Sequence, residues 1–217
     1  MEILKKIYSW MPQLLSGAWI TLSLTVLSVS AGLFFGIFLA LGKISRKKLL
    51  NKICGAYIFF FRGTPLLMQL FFIYYALPKI IPVFTINSRF LAAFIAFSLN
   101  CAAYCAEIIR AAVQSIDEEQ YEVSRTLGLT YMQTIRHVIF PQVITRLIPP
   151  VSNEFIMMLK DVSLVSMIAL VDITRAMRSI EASTGSALVY IPAMVLYLII
   201  TAVFSAVFKR LEKKAQG

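Results

Sequence analysis

Residues 7–42 read IYSWMPQLLSGAWITLSLTVLSVSAGLFFGIFLALG, and no charged side chain interrupts them between Lys6 and Lys43. A bilayer core is crossed by about 20 apolar residues, so the stretch is long enough for one tilted span. Its flank, Met1-Glu2-Ile3-Leu4-Lys5-Lys6, has the look of a signal-peptide leader. The apolar run is too long for one, however, and no small-x-small cleavage site follows it cleanly, so the reading is a retained first helix. Only 15% of the chain is charged and 59% is hydrophobic, with a mean hydropathy of +0.79. Soluble domains carry about 25% charged residues. This composition leaves too little polar surface to cover a water-soluble fold and predicts a single all-α membrane domain over 1–217.

Five apolar segments emerge: Gln13–Gly42, Ile53–Leu77, Phe90–Ile109, a polar-interrupted one within Val143–Val171, and Ala187–Phe208. The net charge of +10 would suggest nucleic acid in a soluble protein. Here the basic residues cluster at the ends of apolar runs, which fits a membrane chain and no nucleic-acid partner. The first connection carries Lys43, Arg46, Lys47, Lys48 and Lys52, the third Arg110, Arg125, Arg136 and Arg146, and the tail Lys209, Arg210, Lys213 and Lys214. The second connection has only Lys79 and Arg89. Basic loops stay in the cytoplasm, so the expected N-terminus is outside and the C-terminus cytoplasmic; Lys5 and Lys6 argue weakly the other way.

Cys54, Cys101 and Cys105 are odd in number and lie in or beside apolar segments, which speaks for reduced thiols acting as small hydrophobes rather than a disulfide framework. Gly32, Gly36 and Ala40 recur every four residues, a spacing that lets a second helix approach closely. One histidine, His137, makes neither a metal site nor a catalytic triad. Gly36 to Lys43 imitates a phosphate loop only faintly, with wrong spacing and no Ser or Thr after the lysine. No nucleotide or metal site is therefore expected in this chain.

The connection from Gln114 to Pro141 exceeds the roughly 12–15 residues of an ordinary loop and is too apolar to be disordered. Ser115 stands where an N-cap would, ahead of Asp117, Glu118 and Glu119. A short amphipathic helix follows over Tyr121–Leu127, Gly128 stops it, and a second short helix over Thr130–Ile139 ends at Pro141. Such a helix–Gly–helix element needs a partner for its apolar side, either the membrane surface or another protein.

Ionisable residues inside a span cost at least about 2.5–3.5 kcal/mol on insertion scales. Arg62 lies about 15 Å into the second span at helical rise. Thr64-Pro65 follows, where a carbonyl freed by Pro65 is open to Thr or Arg; a break lining a cavity and a structural arginine are both open readings. Gln69 joins Arg62 and Thr64 as a path candidate. Asn100, Tyr104 and Glu107 share one helix face, and Glu154, Met158 and Asp161 share another, with Asn153 and Lys160 at its margin. These stripes point to a polar translocation path, with the substrate ammonium on Glu154 or Asp161. The competing reading is an internal pair of Lys160 with an acid that ties helices together.

Glu122, Gly128 and Pro141 fall at the spacing of the cytoplasmic EAA loop of binding-protein-dependent ABC importer permeases. Arg62-Gly63-Thr64-Pro65-Leu66-Leu67 resembles the second-helix signature of the polar amino-acid branch, the histidine/glutamine/arginine-type permeases. Ala103-Tyr104-Cys105-Ala106-Glu107-Ile108-Ile109-Arg110 resembles its third helix. Asn153-Glu154 and Lys160-Asp161-Val162-Ser163-Leu164 resemble its fourth. The chain departs at Val123 and Ser124, where the motif has alanines, at Glu119 for a frequent Gly, and at Val162 for Thr. The resemblance spans about residues 13–208.

This resemblance implies a five-helix permease of the bacterial cytoplasmic membrane that is a transport subunit and not itself an enzyme. It implies docking of the loop, through Glu122, Arg125, Gly128, His137 and Pro141, to an ATP-binding cassette subunit that holds ATP and Mg. The other partners it implies are a second permease copy or close paralogue, an extracytoplasmic binding protein, lipid and an amino-acid substrate. Glu107, Glu154 and Asp161 lean towards a cationic amino acid such as arginine, lysine or histidine. The alternative class is an ATP-independent secondary transporter or channel. A membrane-embedded enzyme would need a convergent catalytic set, which the sequence lacks.

Overall fold

The computed structural model describes residues 2–216, which are helices joined by short turns. The first helix, α1, is Glu2–Ile44, 43 residues. At 1.5 Å per residue it is about 65 Å long, roughly twice the hydrocarbon thickness. Its start precedes the expected Gln13, and Pro12 is accommodated inside it. The helices α2, Lys48–Gly63, and α3, Leu66–Ile80, meet at an angle of 103°. Next come α4, Arg89–Gln114, α5, Glu119–Thr126, and α6, Tyr131–Thr134. The chain closes with α7, Phe140–Asp161, a 3-10 segment Val162–Ile168, α8, Ile173–Thr184, and α9, Tyr190–Gln216.

Among the described residues, three helical stretches are long and apolar enough to cross a membrane, Lys5–Ile44, Arg89–Gln114 and Ala187–Ala215, and the bent α2–α3 pair is a fourth by the same measure. The fourth segment expected from sequence corresponds to α7. Its 22 residues reach about 33 Å, but Arg146, Pro149, Pro150, Glu154, Lys160 and Asp161 make it too polar to count on apolarity alone.

The glycine stripe of α1 is a helix–helix contact. A Cβ on Gly32 would stand 2.6 Å from the Cβ and Sγ of Cys101, and one on Gly36 would stand 2.7 Å from the Cβ of Cys105. Ala40 is fully buried. The small residues thus let α4 lie against α1, and the α4 cysteines fill the space that side chains on α1 would occupy. All three cysteines are free and buried. The main core joins Leu24 and Val29 of α1, Leu70 and Ile73 of α3, Phe97 of α4, Phe155 and Met158 of α7, and Val162 and Val165. A second core clamps the N-terminal part of α1 to α8 and α9 through Trp10, Leu14, Ile173, Met177, Val189 and Leu196. Large apolar side chains such as Phe34, Phe38, Phe59, Leu198 and Val203 stay exposed, as a lipid-facing surface requires.

Two expectations about the long connection fail. Ser115 does not cap the start of α5. It is the C-cap of α4, with its hydroxyl donating to the carbonyl of Ala112 at 2.8 Å, because α4 runs on to Gln114 and a turn intervenes before Glu119. The second short helix does not end at Pro141. Thr134 leads into a π turn, Ile135–Ile139, and then directly into α7, in which Pro141 occupies the first turn. Phe140 N–H donates to Ile135 O, five residues back. This wider turn accommodates a proline ring that an α-turn would press against the carbonyl four residues earlier. A second π turn, Phe72–Ala76, stands in the same relation to Pro78.

Candidate functional site: a cleft at the break between α2 and α3

Helix α2 stops at Gly63 because Pro65 forces the preceding residue out of the helical region: Thr64 is extended, φ −116° and ψ 145°. Inside a membrane the exposed carbonyls need partners. Thr64 Oγ1 donates to Phe60 O at 2.8 Å. The carbonyl of Phe61, four residues before Pro65, accepts from Gln69 Nε2 at 2.9 Å and from Asn100 Nδ2 at 2.9 Å. Gln69 Nε2 also reaches Thr64 Oγ1 at 2.8 Å. The freed carbonyl is therefore held by two buried amides, not by Arg62 as the sequence left open.

The break opens a cleft of about 330 Å³ lined by Arg62, Thr64, Pro65, Asn100, Tyr104, Glu154, Met157 and Asp161. Six of the eleven sequence candidates meet there: Arg62, Thr64, Asn100, Tyr104, Glu154 and Asp161. Arg62 places its guanidinium carbon 5.2 Å from the Tyr104 ring centroid, within range of a cation–π contact. Gln69 stands behind the wall and braces it. Glu107 lies in the adjoining cleft, where it accepts from Arg110 Nε at 3.0 Å and Nη2 at 2.7 Å, with Arg62 Nη1 3.6 Å away.

Three candidates fall elsewhere. Met158 is 2% exposed, in the core, and Met157 lines the cleft in its place; the helical phase assigned to the stripe is one position off at that point. Asn153 is exposed and approaches Met157 Sδ at 3.6 Å. Lys160 faces a groove of about 730 Å³ with Thr174, Tyr197 and the apolar side of α9. It forms no ion pair with an acid: among the described residues both ion pairs within 4.0 Å converge on Glu107. Glu154 and Asp161 are likewise without a basic partner.

The helix–Gly–helix element forms a second candidate surface. Gly128 has φ +80°, Leu129 N–H donates to Ser124 O at 3.0 Å and Gly128 N–H to Arg125 O at 3.0 Å. These two bonds are the Schellman pattern of a helix end. Thr130 then caps α6 reciprocally with Gln133, a capping box. The turn is thus fixed on both sides, and it presents Glu122, Val123, Arg125, Leu127, Tyr131 and Met132 outward. His137 is exposed, with Nδ1 3.1 Å from Gln133 O. Burial, and then the nearby Tyr131 phenol, pushes Tyr121 above the ordinary tyrosine range.

Residues 32–217 match the family model of the binding-protein-dependent transport system inner membrane component. The chain belongs to this family. Its relatives include the L-cystine transport system permease protein of Bacillus subtilis (strain 168), 38% identical over 209 residues, covering 95% of this chain and 88% of that protein. The glutamine transport system permease protein of Escherichia coli (strain K12) is 37% identical over 209 residues, covering 96% and 95%. In structure the chain resembles one from the crystal structure of an amino acid ABC transporter with histidines, with a TM-score of 0.89 and 38% identity over 96% of this chain and 97% of that one. A chain of an inward-facing methionine ABC transporter matches with a TM-score of 0.75 at 21% identity, over 94% and 97%, which speaks for the fold alone. As a family member the chain is an inner-membrane transport component, and the all-α permease fold expected from its sequence is the one observed.

The break at Pro65 is one of the readings the sequence leaves open; the brace that holds it is not foreseen there. Gln69 lies four residues after Pro65 and was legible as a polar residue in an apolar run. That it pairs with Asn100, at 3.0 Å, depends on the approach of α4 to α3.

Proposed function

We propose that the chain is the membrane-spanning subunit of an ATP-driven importer of polar amino acids and that the cleft at the α2–α3 break is part of its path. The observation that carries this reading is two carboxylates without basic partners, Glu154 and Asp161, facing the guanidinium of Arg62 across about 330 Å³. Charges are kept inside a membrane where they meet a cargo or a partner. An amino-acid zwitterion offers both signs: its ammonium suits Glu154 and Asp161, and its carboxylate suits Arg62, whose planar donors match it. Its relatives among the glutamine and cystine permeases support an amino-acid cargo. Two carboxylates against one guanidinium favour a cationic side chain over a neutral one.

In this reading Glu122, Arg125, Gly128, His137 and Pro141 belong to the element that docks a separate ATPase subunit, which binds ATP and Mg. A second permease copy or paralogue completes the path, and an extracytoplasmic binding protein delivers the substrate. The chain lies in the bacterial inner membrane with five spans, α7 being one, and with the N-terminus outside. The test is uptake by the reconstituted complex of glutamine, cystine, arginine, lysine and histidine. Glu154→Gln and Asp161→Asn should each lower uptake while the complex still assembles. Unchanged uptake of all five by both variants removes the acids from the path.

A further inference from the structure

Arg62 belongs to two clefts. Besides the one at the helix break, it lines a neighbouring cleft of about 470 Å³ together with Glu107, Arg110, Ser115 and Arg146. This second cleft holds three guanidiniums and one carboxylate. Glu107 is already engaged by Arg110 through both oxygens, and Arg62 stands off at 3.6 Å. Arg146 donates only to neutral oxygens, the carbonyl and hydroxyl of Ser115. The negative end of α4 opposes an anion here, but it amounts to about half a charge against two uncompensated guanidiniums. An excess of planar donors in a partly desolvated cleft is the arrangement that binds a carboxylate.

We propose that this second cleft is a further station for the carboxylate of the transported amino acid, placed between the first cleft and the cytoplasm. The inference rests on the cargo and orientation proposed above. Ser115 and Arg146 bracket the helix–Gly–helix element, so the cleft lies on the side of the membrane where that element is. Arg62 is common to both clefts, and the cargo's carboxylate keeps one guanidinium partner as it passes from one to the other. Its ammonium leaves Glu154 and Asp161 during the same movement, and Glu107 is the acid nearest to receive it.

The test uses Ser115→Cys in the full complex, in membrane vesicles of either sidedness, with the unsubstituted complex as background because Cys54, Cys101 and Cys105 are buried. From the cytoplasmic side, a sulfonate-bearing methanethiosulfonate should modify the new thiol several-fold faster than a trimethylammonium-bearing one. Free L-glutamine or L-arginine should slow that modification several-fold, and L-glutaminamide, which lacks the carboxylate, should not. Adding Arg146→Gln should weaken both the charge preference and the protection several-fold. Protection by inorganic phosphate equal to that by the amino acids overturns the proposal in favour of a general anion or lipid-headgroup site, and equal protection by the amide, or none, overturns it outright. Glu154→Gln separates the two readings. Uptake unchanged in that variant and in Asp161→Asn, with protection intact, removes the first cleft and leaves the second.

Discussion

Asn100 of α4 donates to Gln69 Oε1 at 3.0 Å while both side-chain amides donate to the carbonyl of Phe61. One interhelical pair thus satisfies the backbone at the point where the α2–α3 segment turns by 103°. Gln69→Leu keeps the volume and removes the donors. It should destabilise the complex by about 1–2 kcal/mol, the cost of leaving a buried polar group short of a partner. The check is thermal unfolding of the purified complex in detergent. A melting temperature equal to that of the unsubstituted complex would mean that the break does not depend on this brace.

The contact of α1 with α4 leaves no room for a larger residue. Gly36→Leu must displace Cys105, since even a Cβ would stand 2.7 Å from its Cβ. Overpacking costs about 1–3 kcal/mol, and the yield of folded complex should fall. Gly63→Ala is the control, because nothing lies within 4 Å of the added methyl. Equal yields for both would argue that α1 and α4 separate freely.

Gly128 is left-handed at φ +80° with open space around it, so its substitution acts through the backbone alone. Gly128→Val should strain the turn by about 1–2 kcal/mol, leave the spans inserted, and weaken co-purification of the ATPase subunit. Glu122→Lys should weaken the same contact by charge reversal. Normal co-purification and normal uptake in both variants would move the coupling contact elsewhere on the chain.

Orientation is open to a direct measurement. A cysteine at Ser45 should react with an impermeant thiol reagent only from the cytoplasm, and one at Asn87 only from outside, because the first connection is rich in lysine and arginine and the second is not. Labelling of both from one side contradicts the proposed topology.

The parts legible in the sequence are those decided locally. The charge-free run from Ile7 to Gly42 has no plausible fate but a membrane helix, and Gly128 marks its own turn because only glycine adopts that backbone cheaply. Arg62, Asn100 and Glu154 stood out because polar groups are costly in an apolar setting. What remained hidden depends on neighbours distant in sequence. Met157 and Met158 are equivalent by composition, and only the fitting of α7 against α1, α4 and α9 sends Met158 to the core. Ser115 has the chemistry of an N-cap, yet α4 reaches it first. The π turns before Pro78 and Pro141 leave no periodic trace, since one extra residue per turn merely shifts the phase.

The π turn before Pro141 has a mechanical meaning. From Tyr131 to Asp161 the backbone stays helical with no non-helical link, so Tyr131, Met132 and His137 of the proposed docking element and the two cleft carboxylates sit on one lever, roughly 45 Å long at helical rise. The extra residue sets the angle between its two ends, turning every later side chain by about a third of a revolution relative to a plain α-helix. Deleting one residue within Ile135–Ile139 would keep the lever and rotate Glu154 and Asp161 off the cleft while the surface at Gly128 stayed where it is. With the ATPase docked as proposed, load applied at one end and carboxylate position at the other would be matched by a phase angle that no contact between them supplies.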